Sequence, residues 1–413
     1  MSEWKEYKLG EIAEVQTGPF GSQLKNEQYI TGGTPVVTVE HLQNFRIIDF
    51  NYPSVTESDK VRLSKYLLKY GDIVFTRVGT VDLSAYVKKH QEGWMFSSRM
   101  LRVRTNPDKV DSKFLSYFFQ QKKFREYILN ISVGATMPSI NTEILKEVSV
   151  SYPSLSEQHI IASILSSLDD KIDVLQRQNT TLEKMVEALF RQWFVVKATG
   201  NSTKGKLGDL IGETVDGEWG KEYNQGEFSK AVRCIRGTDI ADLNNGLAGK
   251  TPIRFIKDSK FRNIEPKSGD LILEISGGTE NQSTGRVTYI NNDVKGLFDY
   301  PIIFSNFCRL LRIKDERYSY FLYCYLRYLY EQNEFFNLEN GSSGIKNLDY
   351  KSLLYEQNYS MPVDKGKIID FYTQVKIYFQ RINQNKKQIR TLTALRDTLL
   401  PKLMNGEMRV KNI

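Results

Sequence analysis

The chain has 413 residues and a formal net charge of +8, a length that suggests two to four domains, each half long enough to bury a core of its own. It holds no run of about 18 apolar residues, which excludes a membrane-spanning helix, and its opening MSEWKEYKLG lacks the apolar stretch of a signal peptide, so a cytoplasmic protein is expected. Cys234, Cys308 and Cys324 are odd in number and far apart, and fit neither a disulfide framework nor a zinc site.

In chain order, KLGEI (Lys8 to Ile12) opens the first ordered segment and returns as KLGDL (Lys206 to Leu210). YGDIVFTRVGT (Tyr70 to Thr80) matches SGDLILEISGG (Ser268 to Gly278). Both are Gly-Asp turns feeding an apolar strand. SSRMLRVR (Ser97 to Arg104) matches NFCRLLRI (Asn306 to Ile313), each a strand carrying arginine. The aromatic-rich segments Asp111 to Leu129 and Arg317 to Phe336 read as helices. GATMPSINTEIL (Gly134 to Leu145) matches SGIKNLDYKSLL (Ser343 to Leu354), and a proline then precedes a long helix in each half. The order of matches never changes, so the chain is two copies of one unit. The expected fold is α+β: two similar mixed α/β domains joined by two long antiparallel coiled-coil helices, a pseudo-twofold internal repeat. The expected boundaries are 1–153, 154–197, 198–361 and 362–413.

The central helix is expected to start at Ser154, with Glu157 completing a capping box. Its seam runs Leu165, Leu168, Ile172, Leu175, Asn179, Leu182, Val186, Leu189 and Trp193, a heptad pattern held over four heptads. The C-terminal helix has a looser seam through Val375, Tyr378, Ile382, Asn385, Ile389, Leu392, Leu399 and Leu403. Antiparallel pairing sets Phe371 beside Trp193, Ile161 beside Leu403, and Asn179 beside Asn385, a polar pair that fixes register. A helix of roughly 40 residues spans about 60 Å. Two heads on such a rod suit a reader of a split DNA sequence, or a scaffold that grips two protein subunits.

The stretch LSEQHIIASILSSLDDKIDVLQRQN with EALFRQWF behind it, and the tail LRDTLLPKLMNGEMRV (Leu395 to Val410), resemble the specificity subunit of a type I restriction-modification system. GDIVFTRVGT and GATMPSIN are similar to segments of that family's target recognition domains. The resemblance covers essentially the whole chain. It implies a DNA-binding, non-catalytic subunit of a restriction system, in which each target recognition domain reads one half of a bipartite site on double-stranded DNA. It implies helices that set the spacing and dock two methyltransferase subunits, and restriction subunits as further partners. No cofactor is implied for this chain. S-adenosylmethionine for adenine methylation, and ATP with magnesium for restriction, belong to the partners. The second copy departs from the pattern, with Gly366 and Lys367 where the first has Glu157 and Gln158.

No catalytic constellation is found. There is no NPPF- or DPPY-like turn, and His41, His90 and His159 lack paired ligand spacing, so no metal site is expected. GNSTKGKL (Gly200 to Leu207) nearly fits a phosphate loop, but Leu207 replaces the magnesium-binding hydroxyl, and the segment reads as a flexible linker. NPDKVDSK reads as a turn ending at Asp111 or Ser112 as N-cap.

Base readout needs polar side chains on loops that can enter a groove. Behind the Gly-Asp strands these are Thr76, Arg77 and Thr80 in the first copy, and Asn281, Gln282, Ser283, Thr284 and Arg286 in the second. A second pair of loops offers Thr136, Ser139 and Asn141, against Ser342, Ser343 and Lys346. Lys25 is a phosphate candidate. Arg99 and Arg309 sit at matching sequence positions, which favours a shared role in phosphate contact or structure. The tyrosines from Tyr318 to Tyr330 recur at helical spacing and read as core. Residues 363–413 carry 11 basic and 4 acidic groups, nearly the whole excess charge. Lys386, Lys387 and Arg390 are therefore expected to line the duplex backbone or face an acidic partner.

Overall fold

The computed structural model describes residues 4–48, 50–196, 202–341 and 344–410. The chain forms two compact units, Met1–Lys171 with Thr393–Ile413, and Ile172–Leu392. Each long helix therefore contributes its two ends to different units.

In the first unit a four-stranded sheet runs in the order Ala13–Thr17, Met100–Thr105, Ile73–Thr76, Ser84–Tyr86, with every neighbouring pair antiparallel. A second sheet places Thr34–Val37 between Ser54–Val55, antiparallel, and Met95–Phe96, parallel. A ribbon pairs Lys5–Lys8 with Ser149–Tyr152. The second unit repeats each part. Its four-stranded sheet runs Ile211–Asp216, Cys308–Ile313, Leu271–Glu274, Val287–Tyr289. Lys230–Ile235 lies between antiparallel Ile253–Ile256 and parallel Ile302–Phe304. Ser202–Gly205 pairs with Tyr359–Pro362. The sequence repeat is thus a repeat of topology. Ser202–Gly205 is a paired strand rather than flexible linker, because its backbone finds a ladder partner in the segment that leads into the C-terminal helix. Gly200 and Asn201 of that expected linker lie outside the described residues.

The Gly-Asp turns have one physical basis in both units. Gly71 and Gly269 take φ of +89° and +95°, open to glycine at no steric cost. The following carboxylates close the turn, Asp72 accepting from the Lys69 amide and Asp270 from the Lys267 amide, each at 2.8 Å. An arginine from the neighbouring strand then holds each carboxylate. Arg104 donates to Asp72 through two nitrogens, at 2.8 and 2.7 Å, and Arg312 pairs with Asp270 at 3.5 Å. Arg104 and Arg312 also donate to the Leu67 and Glu265 carbonyls.

The expected aromatic helices form with breaks. Asp111 caps Ser112–Gln120 by accepting from the Phe114 amide at 2.7 Å, and a second helix covers Lys122–Ile131. In the second unit Ser319–Glu331 is helical, and its Tyr320, Tyr323 and Tyr325 are buried in the core. Tyr320 stacks on Phe379 of the C-terminal helix with centroids 4.3 Å apart.

The central helix spans Leu155–Phe190 and continues as a π-helical turn over Arg191–Val196. The C-terminal helix spans Gly366–Met404. The two run antiparallel in each unit. In the first, Asp169 accepts from Arg396 at 2.8 Å, Glu157 pairs with Arg409 at 3.0 Å, and Ile161 and Leu403 share one core. In the second, Trp193 meets Phe371 and Asn179 meets Asn385. Leu165, Ile172, Leu175, Asn179 and Val186 are buried, as are Ile382, Asn385 and Leu403. Leu168, Leu182, Leu189, Ile389, Leu392 and Leu399 are half-buried. The seam's end differs from expectation. Phe190, the last residue of the α-helix, and Phe194, within the π turn, fill the core while Trp193 is half-buried, and the extra residue of the π turn shifts the face it presents away from the heptad position. Glu157 is engaged with Arg409, and Gln158 accepts from the Asp111 amide and donates to the Pro153 carbonyl. Gly366 and Lys367 have no carboxylate or amide side chain to repeat this.

No helix among the described residues is long and apolar enough to cross a membrane. Cys234, Cys308 and Cys324 are buried and free, and burial raises each thiol well above its ordinary range.

Candidate nucleic-acid interface

In each unit the two loops singled out in the sequence come together. In the first, the Gly79 amide donates to the Pro138 carbonyl at 2.8 Å and the Ile140 amide to the Arg77 carbonyl at 2.9 Å, and Val78 bridges Ser139. In the second, the contact is a small sheet, with Ser276–Gly278 against Lys346–Leu348 and the latter against Glu339–Asn340. The Leu348 amide donates to the Ile275 carbonyl at 3.0 Å, the counterpart of Ile140 on Arg77. Main-chain bonds hold both loops against the end of the central sheet, so their side chains are presented on a rigid base.

Side-chain environments sort the candidates. Thr76 and Thr284 are fully buried. The Thr76 hydroxyl donates to the Leu83 carbonyl and accepts its amide, and the Thr284 hydroxyl accepts from Gly278 and donates to the Lys346 carbonyl. Ser283 is buried too. Thr76 and Thr284 hold the loops in shape, and burial keeps the side chains of all three from a ligand. Asn141 caps the helix Thr142–Lys146, accepting from the Ile144 amide at 2.8 Å. Ser139 closes its own loop by donating to the Val133 carbonyl. Arg286 forms a forked pair with buried Glu274, at 2.8 and 2.5 Å, and that hydrogen bonding raises the arginine pKa. Arg77 donates to the Thr17 hydroxyl and the Ser98 carbonyl and lies over the Phe20 ring. Lys346 pairs with Glu339 at 3.2 Å. Besides the capping Asn141, the exposed candidates are Lys25, Thr80, Arg99, Thr136, Asn281 and Gln282, the last donating to the Tyr330 hydroxyl at 3.3 Å. Ser342 and Ser343 lie outside the described residues.

Ladder register corrects one equivalence. Met100 pairs with Thr76, and Cys308 with Glu274, at the same point of the same sheet. Arg99 therefore corresponds to Phe307, and Arg309 to Leu101. Arg309 is ion-paired with Asp216 and lies over Tyr350, while Arg99 is exposed. The arginines that do correspond are Arg104 and Arg312 on their Gly-Asp carboxylates. Residue-type matching missed this because an arginine-rich strand aligns nearly as well when slipped by one or two positions, and only cross-strand pairing removes the ambiguity.

The basic helix is also partly committed. Lys386 faces Glu183 at 3.8 Å, and its burial lowers its pKa. Arg390 donates to the Gly246 carbonyl at 2.9 Å. Lys387 is exposed. Among the described residues no group of three or more His, Cys, Asp or Glu side chains is placed to hold a metal ion.

Comparison with known proteins gives a consistent result. Residues 1–184 match the family described as "Type I restriction modification DNA specificity domain". The whole chain is 28% identical to the type I restriction enzyme MjaIX specificity subunit of Methanocaldococcus jannaschii, covering 95% of that protein. Over 99% of its length it is 23% identical to the HindI specificity subunit of Haemophilus influenzae, covering 100% of that protein. The crystal structure of a type I restriction-modification S subunit from M. genitalium shares its fold, with a TM-score of 0.63 and 16% identity over 100% of this chain and 97% of that one.

Proposed function

We propose that the chain is a specificity subunit of a type I restriction-modification system, as the match over residues 1–184 and the similarity to two such subunits along its length support, and that each of its units reads one half of a bipartite site on double-stranded DNA. The long helices set the distance between the half-sites and dock two methyltransferase subunits. The chain performs no chemistry of its own in this reading. S-adenosylmethionine is bound by the methyltransferase subunits, which methylate adenine, and ATP with magnesium by restriction subunits where these join the complex.

One observation carries the reading: the two units share a frame and differ at the loops. Sheet order, Gly-Asp turns and the arginines that hold them repeat, whereas the paired loops are an isolated bridge in one unit and a three-stranded sheet in the other. A constant base with variable polar loops is what two different half-sites require.

The test is modified-base sequencing of DNA from cells that express this chain with the methyltransferase subunit of its system. Adenine methylation at one split motif, lost when the chain is omitted, is the expected result. A stable co-purified complex that methylates no motif overturns DNA reading and leaves a protein-binding scaffold.

A further inference from the structure

Register places two apolar side chains at one position of the candidate interface. Val78 pairs with Ser139 as Ser276 pairs with Asn347. Counting back, Met137 corresponds to Ile345. The glycines agree: Gly134 and Gly341 take φ of +108° and +149°, and a Cβ on them would meet the Met137 and Ile345 carbonyls at 2.6 and 2.9 Å. In each unit a positive-φ glycine therefore sits against the carbonyl of the residue at this position. The next apolar position, Ile140 or Leu348, is buried in each unit, yet Met137 and Ile345 are each 60% exposed. A single exposed apolar residue needs no explanation. Recurrence at one register position beside a positive-φ glycine, in two units whose loop sequences differ, does.

We propose that Met137 and Ile345 are specificity-determining residues, each making the apolar contact of its unit with a thymine 5-methyl group in the major groove. The inference rests on the DNA-reading function above. Exposed polar residues lie on the segments joined to these positions: Thr136 precedes Met137 and Thr80 follows Gly79, whose amide donates to the Pro138 carbonyl, while Asn281 and Gln282 lie on the loop whose Thr284 hydroxyl donates to the Lys346 carbonyl. An apolar side chain among hydrogen-bonding ones distinguishes the thymine edge from the other three bases, because only thymine presents a methyl group there.

The experiment compares the wild-type complex with Met137→Gln and Ile345→Gln, and with Met137→Leu and Ile345→Leu, by modified-base sequencing. It then measures binding to duplexes in which each thymine of the motif is replaced singly by uracil. Each glutamine variant is expected to relax one A·T position in one half-site, a different half for each variant, while the leucine variants keep the motif. Uracil at the relaxed position is expected to weaken wild-type binding about 3- to 10-fold, the order expected for one buried methyl group, and to leave the glutamine variant unaffected. An unchanged motif in both glutamine variants, relaxation of both halves by one variant, or wild-type indifference to every uracil overturns the inference while leaving half-site reading intact. A wild-type complex that methylates no motif overturns the function itself.

Discussion

Asn385 donates its side-chain amide to the Asn179 side-chain oxygen at 2.9 Å, with the two residues 0% and 8% exposed in the seam of the antiparallel helices. A buried polar pair in an apolar seam contributes less stability than leucines but strongly disfavours any register that separates its members. Asn179→Leu leaves the Asn385 amide short of its partner and is expected to destabilise the second unit by about 1–3 kcal/mol. The Asn179→Leu, Asn385→Leu double variant should regain that loss while pairing less uniquely. A double-mutant cycle in denaturant measures the coupling, and additive single effects would contradict it.

The Gly-Asp turn is held from the neighbouring strand, so its carboxylate carries more than the turn. Asp72→Ala leaves Arg104 half-buried without its forked partner. The expected loss is about 2–3 kcal/mol, below that of a wholly buried pair because Arg104 reaches solvent. Asp270 differs in degree. Burial raises its carboxyl pKa, against the Lys267 amide and Arg312, which lower it. Asp270→Asn, which keeps the acceptor oxygen, should therefore cost less than Asp72→Asn, as thermal unfolding of the two variants will show.

Gly18 and Gly217 are fixed by close approach of the main chain. A Cβ on either would lie 2.1 or 2.0 Å from the Ser97 or Ser305 carbonyl oxygen. Gly18→Ala and Gly217→Ala each force backbone displacement at the exit of the first strand of the sheet, with an expected cost of at least about 1–3 kcal/mol. Melting of each variant checks this, and a loss below about 0.5 kcal/mol, the range of a neutral surface change, would show that the strand end yields.

Tyr152, Tyr289 and Tyr325 have pKa values raised from 10.0 to about 12, chiefly by burial. The folded chain then keeps protons that the unfolded chain loses above about pH 10, so their contribution is complete below that pH and disappears as pH rises through about 12. Loss of helical circular dichroism should accompany the growth of the tyrosinate absorbance band in this window. Full ionisation near pH 10 with the fold intact would sink the prediction.

Lys387 and Lys386 are adjacent in sequence but differ in environment. Lys387→Gln should lower the salt slope of DNA binding by about 0.9, the value of one phosphate contact. Lys386→Gln removes the partner of Glu183 inside the second unit and should lower stability with the slope unchanged. Equal slopes in wild type and Lys387→Gln would place the exposed lysine away from the duplex.

The sequence by itself determined the architecture. Repetition of KLGEI, of the Gly-Asp turns and of the helix entries, together with the seam through Leu165, Ile172 and Asn179, was enough to give two α/β units, two antiparallel helices and the meeting of Asn179 with Asn385. These features are local or periodic, and periodicity survives in a linear string. What the tertiary structure decided was which polar side chains are free. Thr76, Thr284 and Arg286 look like readout residues in a loop sequence, yet the Leu83 carbonyl and amide, the Lys346 carbonyl and buried Glu274, each on another segment, occupy them. Arg99 and Arg309 look equivalent until cross-strand pairing separates them, and Met137 and Ile345 become equivalent only through it. Spacing along one chain cannot reveal a partner supplied by another strand, because register and burial are properties of the folded assembly of segments.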